Sequence, residues 1–202
     1  MTYSEFVSAQ KENPSEVALK TNNTDMTNLL LDDINLPAFY SDVAGFEDLV
    51  LYQGAFFLDR PHYDHKEQIL CALDSYLSVV LVPLVYRQEI ETGNKLNFVN
   101  SVYMENDYFS RRTSPINFFH PNWEKFIHFK SRMRKVIFME PGDCVFIPAF
   151  YFYQMRGSKD PHRVDEMKND DVNKATAVSL KFGSNSDLLT GFYQAVERNL
   201  IK

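Results

Sequence analysis

The sequence predicts a mainly β fold, a jelly roll of two sheets wound as a double-stranded β-helix. Three observations predict it. Short apolar runs recur through the middle of the chain, many of them closed by a Pro- or Gly-containing turn. Aromatic side chains are abundant, 17 Phe and 11 Tyr against 7 Gly, which suits strands that pack large side chains between two sheets. Helical periodicity is confined to the two ends, and many short strands with helices only at the ends are the pattern of a closed or double-sheet β architecture. Residues 1–40 are expected to form a helical or extended segment packed on the barrel, and residues 41–202 the barrel domain with a C-terminal helix.

In chain order, residues 4–13 can start a helix at Ser4 that Pro14 stops. Residues 15–24 read as a polar connector. Thr27 can cap a short helix over 28–33, ended by Asn35-Leu36-Pro37 because proline restricts its predecessor. Leu49-Val50-Leu51-Tyr52 is a buried strand closed by Gly54. Residues 69–73 are expected to pair with 77–82 across Asp74-Ser75-Tyr76. Residues 85–90 and 95–99 flank Glu91-Thr92-Gly93-Asn94 as a second hairpin. Residues 122–129 suggest one or two helical turns around Trp123, the only tryptophan. Residues 135–139, 144–147 and 176–182 complete the strands, with Glu140-Pro141-Gly142-Asp143 as a tight turn. Trp123 and Phe146 are taken as core residues. A final amphipathic helix over 186–200 places Leu188, Leu189, Phe192, Ala195 and Val196 at helical spacing.

Composition narrows the function. At 202 residues, 45% hydrophobic and 24% charged, the chain can bury one good core. A net charge of −6 makes nucleic acid a poor partner, and the basic run Lys130 to Lys135 reads as a solvated loop. No stretch approaches the roughly 20 apolar residues of a membrane span. Glu5, Glu12 and Glu16 argue against a secretory or transit signal, so the Asn22-Asn23-Thr24 sequon is a chance match. Cys71 and Cys144 show neither metal-type spacing nor a disulfide framework, Cys144 reading as an inert core thiol. The expected location is therefore a reducing intracellular compartment, cytoplasmic or within an organelle such as the mitochondrion.

One segment carries metal-type chemistry. In Arg60-Pro61-His62-Tyr63-Asp64 an imidazole and a carboxylate lie two residues apart, on the same side of an extended backbone. Two such side chains plus a distant histidine make the facial iron site of non-haem oxygenases. Of the other histidines, His65, His120 and His128 have surface or turn explanations, and His162 sits in a charged stretch.

The run from Met139 to Ala149, MEPGDCVFIPA, resembles the Pro-Gly-Asp strand turn of the cupin-like, JmjC-type 2-oxoglutarate oxygenases. Leu36-Pro37-Ala38-Phe39, His62-Tyr63-Asp64, Ser114-Pro115-Ile116-Asn117 and Trp123-Glu124-Lys125-Phe126 follow that family's order over about residues 30–183. The resemblance implies a double-stranded β-helix over about residues 45–183, with iron held by His62, Asp64 and a third histidine. It also implies four departures. Tyr153 stands where the third ligand is expected, after Pro148-Ala149-Phe150-Tyr151-Phe152. Leu77 stands at the lysine that holds the 2-oxoglutarate carboxylate, Ser179 at a polar position of the last core strand, and Asp59 at a hydroxyl residue. Leu77 cannot neutralise a carboxylate, and Asp59 would repel a dianion.

These departures imply a catalytically inactive member in which His62, Asp64 and Tyr153 are vestigial site positions and no cofactor is expected. Its expected role is that of a structural or protein-interaction subunit of a larger multiprotein assembly. Expected contact surfaces are the segment 85–100, Tyr103-Met104, Tyr108-Phe109 and the C-terminal helix. The alternatives are an iron- and 2-oxoglutarate-dependent protein hydroxylase with Tyr153 as a phenolate ligand, and a metal-free small-molecule binder. Ser179 and Lys181 share a face of the last strand. If that face is inward, Lys181 enters the barrel near Asp64 as a metal substitute; with the register slipped by one, Leu180 and Phe182 point in instead.

Overall fold

The structure, a computed structural model, describes residues 3–12, 18–21, 46–90, 113–159 and 174–183. Helix α1 (Tyr3–Glu12) precedes nine strands: β1 (Ala18–Thr21), β2 (Phe46–Gly54), β3 (Phe56–Leu58), β4 (Glu67–Ala72), β5 (Tyr76–Val82), β6 (Lys135–Met139), β7 (Cys144–Ile147), β8 (Phe152–Ser158) and β9 (Ala175–Phe182). They form one sheet in the order β1-β2-β9-β4-β7 and a second in the order β3-β8-β5-β6, with every described pairing antiparallel. From β3 onward, each strand except β6 lies in the sheet opposite its predecessor's. This alternation is the expected jelly roll.

It also corrects the expected hairpin of 69–73 with 77–82. Strand β4 pairs with β7 and β9, whereas β5 pairs with β6 and β8. The turn between them is tied to the start of β9: Leu73 N donates to Thr176 O (3.1 Å), Thr176 N to Asp74 Oδ1 (2.7 Å), and Ser75 Oγ to Thr176 O (2.9 Å). Anchored there, the chain crosses to the other sheet instead of folding back. The burial patterns agree. Strand β4 alternates between partly buried and buried positions, as one face of an outer sheet should, while β5 is buried at almost every position.

Two apolar clusters explain the continuous run in β5. Leu77, Val79 and Leu81 point between the sheets, against Val50, Tyr52, Phe57, Leu70, Met139, Ile147 and Met155. Val80 and Val82 point the other way and are covered by Ile90, Ile116, Phe118, Phe126, Phe129 and Phe152. Each fully buried aliphatic or phenylalanine side chain contributes about 1.5–3 kcal/mol. Gly157 on β8 leaves room for the side chains of its two cross-strand neighbours in the same sheet, because a Cβ there would lie 2.6 Å from Leu77 Cδ2 and against the Phe57 ring.

Other expectations are corrected. Residues 18–21 form a strand on β2, with Lys20 opposite Tyr52, where a polar connector was expected. Residues 85–90 are not a strand: a 3-10 turn (Leu84–Tyr86) follows Pro83, and Arg87 N and Ile90 N continue it by bonding Leu84 O and Tyr86 O. Proline at 83 ends the ladder because it has no N–H to contribute. Strands β3 and β8 were not anticipated; Gln154 and Arg156 break the apolar pattern of β8, yet Gln154 is buried and its Oε1 accepts the Phe118 N–H (2.7 Å). Trp123 and Phe146 are not core residues, being 42% and 45% exposed. Alternation along β7 sends Val145 and Ile147 inward and Cys144 and Phe146 outward. Trp123 stacks on Phe129 at the surface, with the Arg134 guanidinium over its ring. The expected helices at 28–33 and 186–200, the strand at 95–99 and the surfaces at 103–104 and 108–109 lie outside the described residues.

The cysteines are corrected too. Cys71 and Cys144 sit directly opposite each other on β4 and β7 and are joined as a disulfide, their Cα atoms 4.1 Å apart. At a sequence separation of 73, only the sheet register could reveal the pairing. The inference of a reducing compartment rested on unpaired thiols and no longer follows. Among the described residues no helix is long and apolar enough to cross a membrane.

Candidate functional site

The candidate site is built where the irregular segment after β3 crosses β8. His62 N donates to Tyr153 O (3.0 Å) and Tyr153 N to His62 O (2.8 Å), so the two residues face each other as a backbone bridge. The following loop is held in the same way, with Phe150 N donating to Asp64 O (2.8 Å). Phe150 adopts φ 65°, a conformation that side chains other than Gly rarely take. Its ring packs against Tyr63 and against His65, which lies in a bend and is buried.

Side-chain chemistry follows from this frame. His62 Nδ1 lies 2.7 Å from Arg60 O. A carbonyl oxygen only accepts, so Nδ1 carries the proton and Nε2 presents a lone pair. That lone pair is taken by the Tyr153 hydroxyl at 2.9 Å. Burial pushes the His62 imidazolium below its ordinary range and outweighs the pull of Asp59, which agrees with a neutral ring. Tyr153 is fully buried, and burial followed by the Asp59 charge drives its hydroxyl far above the ordinary phenol range. Tyr52 and Gln68 interact with the same hydroxyl.

Asp64 projects beside His62, as the spacing of two requires. Its Oδ2 receives the Lys181 ammonium at 2.6 Å and its Oδ1 the Lys66 N–H at 3.3 Å. Both partners of the ion pair are largely enclosed, their side chains 13% and 20% exposed. Burial raises the Asp64 carboxyl, but the charge and hydrogen bond of Lys181, together with the Lys66 N–H, hold it below the usual carboxylate range. Lys181 and Ser179 both face the interior, Ser179 Oγ donating to Gln68 Oε1 at 2.8 Å. At the rim Asp59 pairs with Lys20 (2.7 Å) and accepts the Arg60 N–H (2.9 Å). Its carboxyl is also held low, His62 and Lys20 together overcoming the effect of burial.

The structure therefore brings His62, Asp64, Tyr153 and Lys181 together. Sequence reasoning did not find Lys20, Tyr52 or Gln68. Gln68 was detectable in principle, since it shares the inward parity of Leu70 and Ala72; Lys20 was not, because its place depends on the β1–β2 register.

The family model described as Cupin-like domain matches residues 5–178. The chain belongs to the cupin-like domain family. A search of curated protein sequences gives no match. Among solved structures, the chain is similar to YcfD, a ribosomal oxygenase from Escherichia coli, at 13% identity and a TM-score of 0.34, over 76% of this chain and 28% of that one. YcfD in complex with cobalt and 2-oxoglutarate gives a TM-score of 0.37 over the same shares at 13% identity. Hydroquinone 1,2-dioxygenase from Sphingomonas sp. TTNP3 with 4-hydroxybenzoate bound is 10% identical, with a TM-score of 0.34 over 67% of this chain and 60% of that one. The chain thus spans under a third of the length of the YcfD structures.

The donor set of this cupin-like domain does not fit the iron and 2-oxoglutarate that the resemblance implied. The His62 lone pair and Asp64 Oδ2 each already have a protein partner. The third position is a neutral phenol whose ionisation is strongly opposed. A divalent cation there would meet the Lys181 ammonium, a like charge at the same carboxylate. Leu77 is buried in the apolar core and offers a cosubstrate no counter-charge.

Proposed function

We propose that this cupin-like domain is a catalytically inactive member of its family that serves as a structural or protein-interaction subunit of a larger assembly. One observation carries the first half of the reading: the two atoms best suited to grip a metal are occupied by Tyr153 Oη and Lys181 Nζ, at 2.9 and 2.6 Å. Lys181 stands in for the cation, and the hydroxyl of Tyr153 stands in for the metal's bond to imidazole. A buried carboxylate is thereby compensated, as a metal would compensate it. The second half is supported by large apolar side chains left outside, Phe138 at 75% and Val85 at 77% exposed, with Phe146 also on the outer face. Surface of that kind favours protein contacts.

Titration of the purified chain with cobalt(II), read by absorbance and calorimetry in the presence and absence of 2-oxoglutarate, tests the first half. No stoichiometric binding and no 2-oxoglutarate turnover are expected. Stoichiometric binding with turnover would instead select the hydroxylase alternative with Tyr153 as ligand. Co-purification under mild conditions tests the second half, and a chain that always elutes alone refutes it.

A further inference from the structure

We infer that the Cys71–Cys144 bond is a solvent-facing redox clip, opened by thiol exchange with a dithiol at Cys144 and, once open, freeing β7 from β4. Three observations point there. First, the bond lies on the outer face of its sheet: Cys144 is exposed and Cys71 partly buried, while their neighbours Leu70 and Ala72 point into the core. An incoming thiolate therefore reaches the Cys144 sulfur, and the Cys71 sulfur is the leaving group.

Second, the noncovalent hold on β7 is slight. The strand has four residues and, among the described strands, one neighbour, β4. Only Ile147 of its side chains is fully buried. Beyond the ladder, the turn adds two backbone bonds, Ala72 N to Asp143 O (2.9 Å) and Gly142 N to Ala72 O (2.8 Å). Strand β4, in contrast, stays paired with β9 over six residues when the clip opens. Third, β7 runs directly into the loop that carries Phe150, whose N–H binds Asp64 O, and then into Tyr153. Loosening β7 thus reaches the backbone that frames the candidate site.

The exchange balances simply. One thiolate of the dithiol attacks Cys144 Sγ, the S–S bond breaks, and Cys71 leaves as a thiolate that takes up a proton. The second thiol of the reagent then attacks the mixed disulfide, freeing Cys144. Two electrons and two protons pass to the protein, and the reagent closes to its own disulfide. The inference is independent of the metal-free reading of the site and survives its failure.

The folded full chain, equilibrated in mixtures of reduced and oxidised dithiothreitol, tests it. Alkylation under native conditions followed by intact mass should show two thiols appearing together, reversibly, with the far-ultraviolet circular dichroism unchanged. Amide exchange across 144–147 should then rise about tenfold or more while that of 177–180 in β9 stays protected. Three results overturn the inference: thiols that appear only on global unfolding, cysteines that stay reduced in fully oxidising buffer, or β7 exchange that is the same in both states. The Cys71→Ser/Cys144→Ser variant should show the raised β7 exchange without reductant and no response to it. Protection of β7 in that variant equal to the oxidised chain also overturns it, and if the variant does not fold, the wild-type measurements decide.

Discussion

At the scale of single residues, the ion pair of Lys181 with Asp64 and the bond of Tyr153 to His62 dominate the behaviour of the site. Removing one member of a largely enclosed pair leaves the other charge uncompensated, so Lys181→Met should cost roughly 3 kcal/mol in denaturant unfolding. The double variant Lys181→Met/Asp64→Leu should recover most of that loss, because both desolvated charges are gone. A single variant as stable as wild type would mean that Asp64 finds water instead of Lys181. His62 makes stability depend on pH in a defined direction. Its folded pKa is depressed by burial, so near and below the ordinary histidine value of about 6.5 the unfolded chain binds a proton that the folded chain resists. Stability should therefore fall as pH drops from about 7 toward 5, and His62→Gln should flatten that slope. Asp64 and Asp59, both held low, act in a more acidic window: their stabilisation is present above about pH 4 and is lost as pH falls through their folded values.

At the scale of elements, two glycines and two phenylalanines separate positions that sequence alone ranks alike. Gly157 lies where the Phe57 ring and Leu77 leave no room, and Gly157→Ala should cost about 1–3 kcal/mol by overpacking. Gly142 has open space around it, but its φ of 94° holds the turn from β6 to β7. Gly142→Ala should cost about 1 kcal/mol through backbone strain and leave packing untouched. Phe152 is fully buried between Tyr63 and its neighbours, while Phe146 is 45% exposed on β7. Phe152→Ala should lose about 3–5 kcal/mol and Phe146→Ala less than about 1 kcal/mol. Equal losses in urea unfolding would contradict the assigned orientation of β7.

At the scale of the whole molecule, the proposed assembly role separates from the polar site. Replacing His62 and Asp64 together by Ala should leave co-purifying partners bound, at a stability cost of about 1 kcal/mol for the lost His62 hydrogen bond and roughly 3 kcal/mol for the Lys181 charge left without its partner. Partner release by a double variant whose circular dichroism is unchanged would instead place the site itself in the interface. Phe138→Ser changes an exposed side chain on an outer strand and should leave the unfolding midpoint nearly unchanged. Reduction of the disulfide, which closes a loop of about 70 residues, should lower global stability by roughly 2–4 kcal/mol.

The sequence by itself determined what depends on near neighbours. Period-two alternation placed His62 beside Asp64 and gave Ser179 and Lys181 a common face, and turn chemistry placed Pro141 and Gly142 between β6 and β7. Short apolar runs and abundant aromatics were enough for a mainly β jelly roll. Tertiary structure decided whatever depends on register between distant strands. Tyr153 meets His62 across 91 residues, Lys181 meets Asp64 across 117, and Cys71 meets Cys144 across 73. It also decided that 69–73 and 77–82 lie in opposite sheets, and that Phe146 faces solvent. The physical reason is that alternation fixes which residues share a face but not which face is inside. Closure of the two sheets around one core makes that choice, because a shift of one residue would exchange the buried and exposed sets along the whole strand.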